Sequence, residues 1–292
     1  MNRKNFLKKS LLGAAGVATG SSVLKAKNVK LKESTYDKMM EQVGFNHIPN
    51  KEVITMKSVL HKANTRGHAN HGWLDTHHTF SFANYYNPER MHFGVLRVLN
   101  DDAVAPGRGF GTHPHDNMEI ISIPLEGDLE HKDSMGNVGV IKEGDVQVMS
   151  AGTGIFHSEY NKNKDKEVKF LQIWLFPNKK DVKPRYDQIT LQDKDLKNQF
   201  YQILSPNSDD EGVWIHQDAW FHLGRFEAGK GSSYEVKKTG NGVYTFVLEG
   251  KVTVNGQKLE KRDGFGVWDT DNVEVHADSD ARVLLMEVPM SM

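Results

Sequence analysis

Two short glycine-flanked segments of this chain place metal-ligating side chains at alternating positions. One contains His113 and His115, and the other contains His157 and Glu159. Side chains of a strand alternate between its two faces, so the two members of each pair share a face. Two paired strands can therefore direct all four side chains at one point. Imidazole and carboxylate ligands suit first-row divalent metals; we expect Fe(II), and Mn, Ni, Cu, Co or Zn are also compatible.

The competing interpretation is that these histidines are packing residues. The chain has 14 histidines, and a single histidine on a strand is more often hydrogen-bonded within the core than bound to a metal. Two alternating pairs, each followed or preceded by glycine-rich turns, favour the metal site, since such turns are typical of short strands at the mouth of a barrel.

Composition limits the classes of function. With no cysteine among 292 residues, disulfides, thiolate zinc sites, iron–sulfur clusters and cysteine nucleophiles are excluded. The net charge of −1 gives no basic surface for nucleic acid, so we expect no nucleic-acid partner. The length suits about two domains.

The segments that must position the ligands are short β-favouring runs separated by turns, without convincing amphipathic helices, which predicts an all-β fold. The runs form two sets, over residues 53–180 and 185–292, and residues 123–127 resemble 246–250. This echo predicts a duplicated barrel. In the second copy His276-Ala-Asp278 loosely mirrors the second ligand pair, but no counterpart of the first pair remains, so we expect that barrel to be structural or a lid.

The N-terminus is expected to be separate from the fold. Residues 1–26 have a basic start, a mild apolar stretch and a small residue at a possible cleavage site, as in a signal peptide, and Arg3-Lys4 resembles part of a twin-arginine motif. This predicts export to the periplasm. A basic tail on a cytoplasmic protein is the alternative. Residues 27–52 are interpreted as a linker, and the apolar stretch is too short and polar for stable membrane insertion.

Longer motifs identify a family. His78-Thr-Phe-Ser-Phe-Ala-Asn-Tyr-Tyr86, the segment from Gly111 to Glu119, and Gly144-Asp followed by Ala151-Gly-Thr-Gly-Ile-Phe-His-Ser-Glu159 resemble the pirin family of the cupin superfamily, in particular its bacterial branch linked to flavonol oxidation. The resemblance is strong over residues 53–180 and holds only by pattern in the second half. It implies two tandem jelly-roll barrels, a bicupin.

The resemblance also implies a site and an activity. The first barrel would hold one metal, commonly iron, through His113, His115, His157 and Glu159, with Glu119 as the competing carboxylate. The implied activity is that of quercetin 2,3-dioxygenase, in which a flavonol and O2 react with release of carbon monoxide, and Glu159 is the candidate base. Two alternatives stay open: an iron-dependent sensor with a protein partner, and a cupin that acts on another enol or phenolic compound.

Overall fold

The β-favouring runs become strands in the computed structural model, which describes residues 55–291. The predicted signal peptide, residues 1–26, and the predicted linker, residues 27–52, lie outside the described residues. Within the described part, no helix has the length and apolar character needed to cross a bilayer.

The strands alternate with turns along the whole described chain, interrupted by one 3₁₀ turn, Ala63–Thr65, and one short helix, α1, Asp193–Leu196. In chain order the strands are β1 Lys57–His61, β2 Gly67–Asn70, β3 Leu74–His78, β4 Leu96–Val104, β5 Gly109–His115, β6 Glu119–Glu126, β7 Asp128–Asp133, β8 Val138–Lys142, β9 Asp145–Ser150, β10 Ile155–Asn161, β11 Val168–Leu175, β12 Arg185–Thr190, β13 Phe200–Ser205, β14 Val213–Trp214, β15 Trp220–Phe226, β16 Gly231–Glu235, β17 Asn241–Glu249, β18 Lys251–Val254, β19 Gln257–Glu260, β20 Gly264–Trp268, β21 Asn272–Ala277 and β22 Ala281–Pro289.

Each barrel combines a seven-stranded and a four-stranded sheet. The first has the orders β12-β9-β6-β11-β4-β3-β2 and β5-β10-β7-β8. The second repeats this plan with β1-β20-β17-β22-β15-β13-β14 and β16-β21-β18-β19. The prediction of an all-β bicupin is confirmed.

Two edge strands are exchanged between the barrels. β1 comes first in the chain but pairs with β20 of the second barrel, with Lys57 opposite Trp268. β12 follows the first barrel's last predicted residue, yet it pairs with β9 of that barrel, with Arg185 opposite Ser150. β1 lies within the predicted range 53–180 and β12 within 185–292, so each of them pairs across the predicted boundary. Alternation in a sequence indicates a strand but not which sheet it joins.

The two seven-stranded sheets share an apolar core. One cluster of fully buried side chains contains Ile121 and Leu171 of the first barrel together with Phe221 and Leu284 of the second. Because side chains alternate along a strand, the same strands turn their other positions into their own barrel. In β6, for example, Ile121 contributes to the shared core, and Ser122 faces the inside of the first barrel, where it hydrogen-bonds to Glu159.

We expect Asp263 to stabilise the exchanged segment after β1. Its buried carboxylate accepts hydrogen bonds from the amides of Ala63, at 2.8 Å, and Glu260, at 2.9 Å, and pairs with Lys62. Asp263→Asn removes the charge and one acceptor, and should lower the free energy of unfolding by about 2 kcal/mol in urea titrations. The matched control is Asp269→Asn, which breaks the exposed ion pair with Lys57 and should cost less than about 1 kcal/mol. Equal losses would contradict this assignment.

Candidate metal centre

β5 and β10 bring the two ligand pairs together as antiparallel neighbours. His113 lies opposite His157, and Ile155 lies opposite His115. Opposite the step from His157 to Glu159, β5 carries one extra residue, so that Glu159 lies opposite Phe110 rather than Gly111. Such a bulge bends its strand and increases the local twist, here between Phe110 and His113 of β5.

Three imidazoles form one compact group. The ring centroids are 4.4 Å apart for His113 and His157, 4.8 Å for His115 and His157, and 4.9 Å for His113 and His115. One nitrogen from each ring lies within 4.8 Å of the others. Three ring nitrogens at this separation are close enough to bind one ion after small side-chain movements.

His157 is the residue whose surroundings most directly indicate a ligand. Its side chain is buried, and neither ring nitrogen has a hydrogen-bond partner. Buried polar atoms are nearly always paired, so two unpaired nitrogens on one ring indicate a missing partner such as a metal ion. Burial, with the neighbouring His113 and His115, lowers its pKa to about 2, which keeps the ring in the neutral form that binds metals.

The other two histidines are also prepared to bind. His113 Nδ1 lies 2.8 Å from the carbonyl oxygen of Gly111, to which an Nδ1–H donates, and this leaves Nε2 with a free lone pair. Such a bond to the second nitrogen fixes the tautomer and ring orientation of metal-binding histidines. Burial lowers the pKa of His115 to about 4, so this ring is neutral at physiological pH as well.

Glu159 lies beside this group rather than within it. Its buried carboxylate accepts hydrogen bonds from Ser122 Oγ at 3.1 Å and from Gln172 Nε2 at 2.8 Å. One of its oxygens lies within 4.8 Å of a ring nitrogen of His157 and of His131. It does not lie within that distance of all three histidines of the first group. Burial raises its pKa, and the hydrogen bonds offset that rise only in part. The carboxyl group is therefore a stronger base than an exposed glutamate.

Glu119, the competing carboxylate, lies on the opposite face of β6. Ser122 reaches Glu159 inside the barrel, and a residue three positions away points to the other side. Glu119 accepts a hydrogen bond from Ser150 Oγ at 2.6 Å and another from the amide of His216 in the second half of the chain. Burial raises its pKa to about 7. This position excludes Glu119 from the histidine group.

His131 belongs to the site and was missed by the sequence analysis. It lies on β7 directly opposite Glu159, and its Nε2 is 3.2 Å from Asp133 Oδ2. The Asp133 carboxylate also accepts hydrogen bonds from the amides of Met135 and Asn137, so its position is fixed. The only signal in the sequence was the alternating pair His131-x-Asp133, whose partner strand is known only from the register.

A cavity of about 480 Å³ opens over the centre. Its wall includes His113, His115 and Glu159. Four aromatic side chains make much of the remaining wall: Trp73, Phe82, Phe110 and Trp174. The size and the mainly apolar lining fit a ligand with aromatic rings.

One wall of the cavity is a row of polar side chains with unpaired atoms. Asn100 on β4 lies opposite His78 on β3 and opposite Gln172 on β11, and Asp102 lies opposite Thr76. Three oxygens in this row are buried without a hydrogen-bond partner: Asn100 Oδ1, Asp102 Oδ1 and Gln172 Oε1. The row therefore offers three acceptors to a ligand that carries hydroxyl groups.

Asp102 should make stability depend on pH. Burial raises its pKa from 3.8 to about 7, although Thr76 hydrogen-bonds to it. Between these values the folded state keeps a proton that the unfolded state releases, so this group's contribution to stability falls as pH rises through 7. Asp102→Asn removes this pH dependence. In urea titrations of the metal-free protein, the difference in free energy of unfolding between variant and wild type should shift in favour of the variant by about 3 kcal/mol from pH 4 to pH 8. A difference between variant and wild type that stays constant from pH 4 to pH 8 would contradict this assignment.

The second barrel has no equivalent centre among its described residues. β16 and β21 pair as β5 and β10 do, but the inward side chains of β21 are Val273, Val275 and Ala277. His276 is exposed and lies 3.5 Å from Asp278 on the outer surface. The loose sequence match of His276-Ala-Asp278 to the second ligand pair is therefore not a structural equivalence.

Comparisons with known families agree over both halves. The family model described as Pirin matches residues 59–175, and the model described as quercetinase C-terminal cupin domain matches residues 202–288. A protein of Escherichia coli strain K12 named quercetin 2,3-dioxygenase is 46% identical over 233 residues, which are 79% of this chain and 98% of that protein. A pirin-like protein of Caulobacter vibrioides is 40% identical over 222 residues, 76% of this chain and 95% of its own length.

Solved structures give the same result. The crystal structure of a bacterial pirin from Escherichia coli in complex with nickel(II) has a TM-score of 0.76 and 44% sequence identity, and the match covers 80% of this chain and 99% of that one. The crystal structure of a quercetin 2,3-dioxygenase from Acinetobacter baumannii shares the fold, with a TM-score of 0.64 at 23% identity over 80% of this chain and 87% of that one.

Proposed function

This chain belongs to the pirin family of cupins, and on that basis we propose that it is a metal-dependent dioxygenase that opens the central ring of a flavonol such as quercetin with O2 and releases carbon monoxide. The observation that carries the proposal is the compact three-histidine group that borders, with Glu159, an aromatic-lined cavity. Similar proteins named quercetin 2,3-dioxygenase support the choice of substrate.

His113, His115 and His157 would hold the metal, with Glu159 beside them. The unpaired nitrogens of His157 fit such an ion. We propose Fe(II), while Mn, Ni, Cu, Co and Zn suit the same ligand types. When bound, the ion would act as a Lewis acid and lower the pKa of a flavonol hydroxyl group.

Glu159 is the base of the proposed reaction. Burial raises its pKa, so its carboxylate accepts a hydroxyl proton more readily than an exposed glutamate would. Ser122 and Gln172 hydrogen-bond to its two oxygens and hold the carboxylate in place while the proton is transferred. Loss of that proton makes the flavonol electron-rich and therefore reactive toward O2.

The cavity wall would orient the substrate. Aromatic side chains such as Phe110 and Trp174 cover the ring faces and exclude water, while Asn100, Asp102 and Gln172 offer acceptors to ring hydroxyl groups. A ligand without hydroxyl groups would leave these buried oxygens unpaired, at a cost of about 1–3 kcal/mol for each. Polyhydroxylated aromatic compounds are thus favoured over plain aromatic ones.

The test is quercetin turnover by the metal-loaded chain. We expect protein loaded anaerobically with Fe(II) to consume quercetin and O2 and to release carbon monoxide, and we expect His113→Ala to do none of this. If the loaded protein retains its metal but leaves quercetin unchanged, the flavonol assignment is wrong. Other enols and phenolic compounds, or an iron-dependent sensing role, would then be examined.

A further inference from the structure

A second group of metal-ligating side chains lies on the β2–β3 hairpin. His68 on β2 is directly opposite His77 on β3, and Asp75 lies two residues before His77 on the same face of the strand. One ligand atom from each of the three side chains lies within 4.8 Å of the others. None of these residues takes part in the centre described above.

The distances suit one ion with little rearrangement. His68 Nε2 is 2.8 Å and His77 Nδ1 is 3.8 Å from the same oxygen, Asp75 Oδ1. Metal–ligand bonds of roughly 2.0–2.1 Å in tetrahedral geometry place the ligand atoms about 3.3 Å apart, which lies between the two distances to Asp75 Oδ1. The two imidazole rings are stacked, with centroids 4.4 Å apart and an interplanar angle of 19°.

Charge and exposure at the hairpin also favour a cation. The side chains of His68, Asp75 and His77 are 52%, 42% and 38% exposed, which leaves room for water ligands and for entry of the ion. Asp75 supplies a negative charge, and Asn70 Nδ2 donates to its other oxygen at 3.2 Å, which orients the carboxylate. The nearby cation Arg66 is paired with Asp101 at 3.2 Å, which offsets its repulsion.

The hairpin group and the catalytic cavity lie on opposite faces of one strand. Thr76 and His78 of β3 are buried and line the cavity. Asp75 and His77, which alternate with them along the strand, face outward. The turn that joins β2 to β3 also contributes His71 and Trp73 to the cavity wall. β2 is the last strand of its sheet, so a link between β2 and β3 would restrain an edge beside the cavity.

We propose that His68, Asp75 and His77 form a second, outward-facing site for a borderline divalent metal such as Zn(II), Ni(II) or Cu(II). Two imidazoles and one carboxylate are ligands that these ions share. The ion bridges β2 and β3 and stabilises the hairpin that forms part of the cavity wall. The site is independent of the reaction catalysed inside the barrel.

Zn(II) binding to the untagged, metal-free chain tests this proposal. Calorimetric titration and metal analysis after equilibrium dialysis should give two Zn(II) ions per wild-type chain. His77→Gln and Asp75→Asn should each lose the hairpin ion alone, and His113→Ala should lose the central ion alone. The matched control is His276→Gln, because His276 forms an exposed pair with Asp278 but has no second histidine, and it should retain both ions.

Thermal unfolding separates the site from a structural effect. Added Zn(II) should raise the unfolding midpoint of His113→Ala, since a ligand that binds only the folded state stabilises it, and should not raise that of the double variant with His77→Gln. Without metal, the two variants should unfold at midpoints within a few degrees of each other. A Zn(II) count that is the same in wild type and in both hairpin variants would overturn the proposal whatever the outcome of the quercetin assay.

Discussion

Replacement of His157 by alanine is expected to remove the central metal and to lower the rate of quercetin turnover at least about 10³-fold. This residue belongs to both groups of ligand atoms at the centre, and both of its buried ring nitrogens lack a protein partner. Loss of a ligand would leave two imidazoles and a displaced carboxylate. The magnitude follows from the several kilocalories per mole that a Lewis-acidic metal contributes, with about 1.4 kcal/mol for each tenfold change in rate.

The control for this experiment is His222→Ala. His222 is likewise buried, and its Nδ1 has no partner, but it lies in the second barrel and belongs to no group of metal-ligating side chains among the described residues. Its variant should keep full metal content and turnover, measured by metal analysis and by quercetin absorbance. Full metal content in His157→Ala would show that the ion binds elsewhere.

Replacement of Glu159 by glutamine should lower kcat by about 10²–10⁴, the usual contribution of a general base. Glutamine keeps the shape of the side chain and still accepts a hydrogen bond from Ser122, so the histidine group should remain in place. Burial raises the pKa of Glu159, and a base acts only when deprotonated. The wild-type rate should therefore rise with pH as Glu159 loses its proton, and the variant should lose that rise.

Glu119→Gln is the matched control because Glu119 is also a buried carboxyl with a raised pKa, but it faces away from the barrel interior. Its kcat and metal content should stay within about threefold of wild type, since it contacts neither the cavity nor the histidines. Loss of turnover in Glu119→Gln, with turnover retained in Glu159→Gln, would reverse the assignment of the two carboxylates.

Spacing alone placed the histidines correctly in relation to one another. His113 and His115 share a face because alternation in a strand is fixed by backbone geometry, and the same holds for His157 and Glu159. The sequence could not predict the extra residue in β5 between Phe110 and His113, since a bulge is defined by the pairing with the partner strand. The structure groups the three imidazoles and places Glu159 beside His157, while the binding of a metal by all four side chains stays a prediction.

The remaining parts of the site depend on register and on which face is inside. Glu119 and Ser122 lie on opposite faces of β6, but only packing decides which face meets the metal centre. His131 joins the site through its pairing with Glu159 across β7 and β10. Asn100 and Asp102 are polar residues within an apolar run, a signal of function that becomes interpretable only when the cavity is known.

Because β1 and β12 pair across the boundary between the barrels, genetic recombination cannot easily separate one barrel from the other. A recombination event that joined this first barrel to a different second one would carry β1 without the sheet it completes, and would retain β12 only if the junction lay beyond residue 190. The new partner would have to offer a matching edge to β1. The catalytic half and its degenerate copy are therefore expected to evolve together. The non-catalytic barrel is retained because a junction between the two coding regions would leave a barrel without one of its strands.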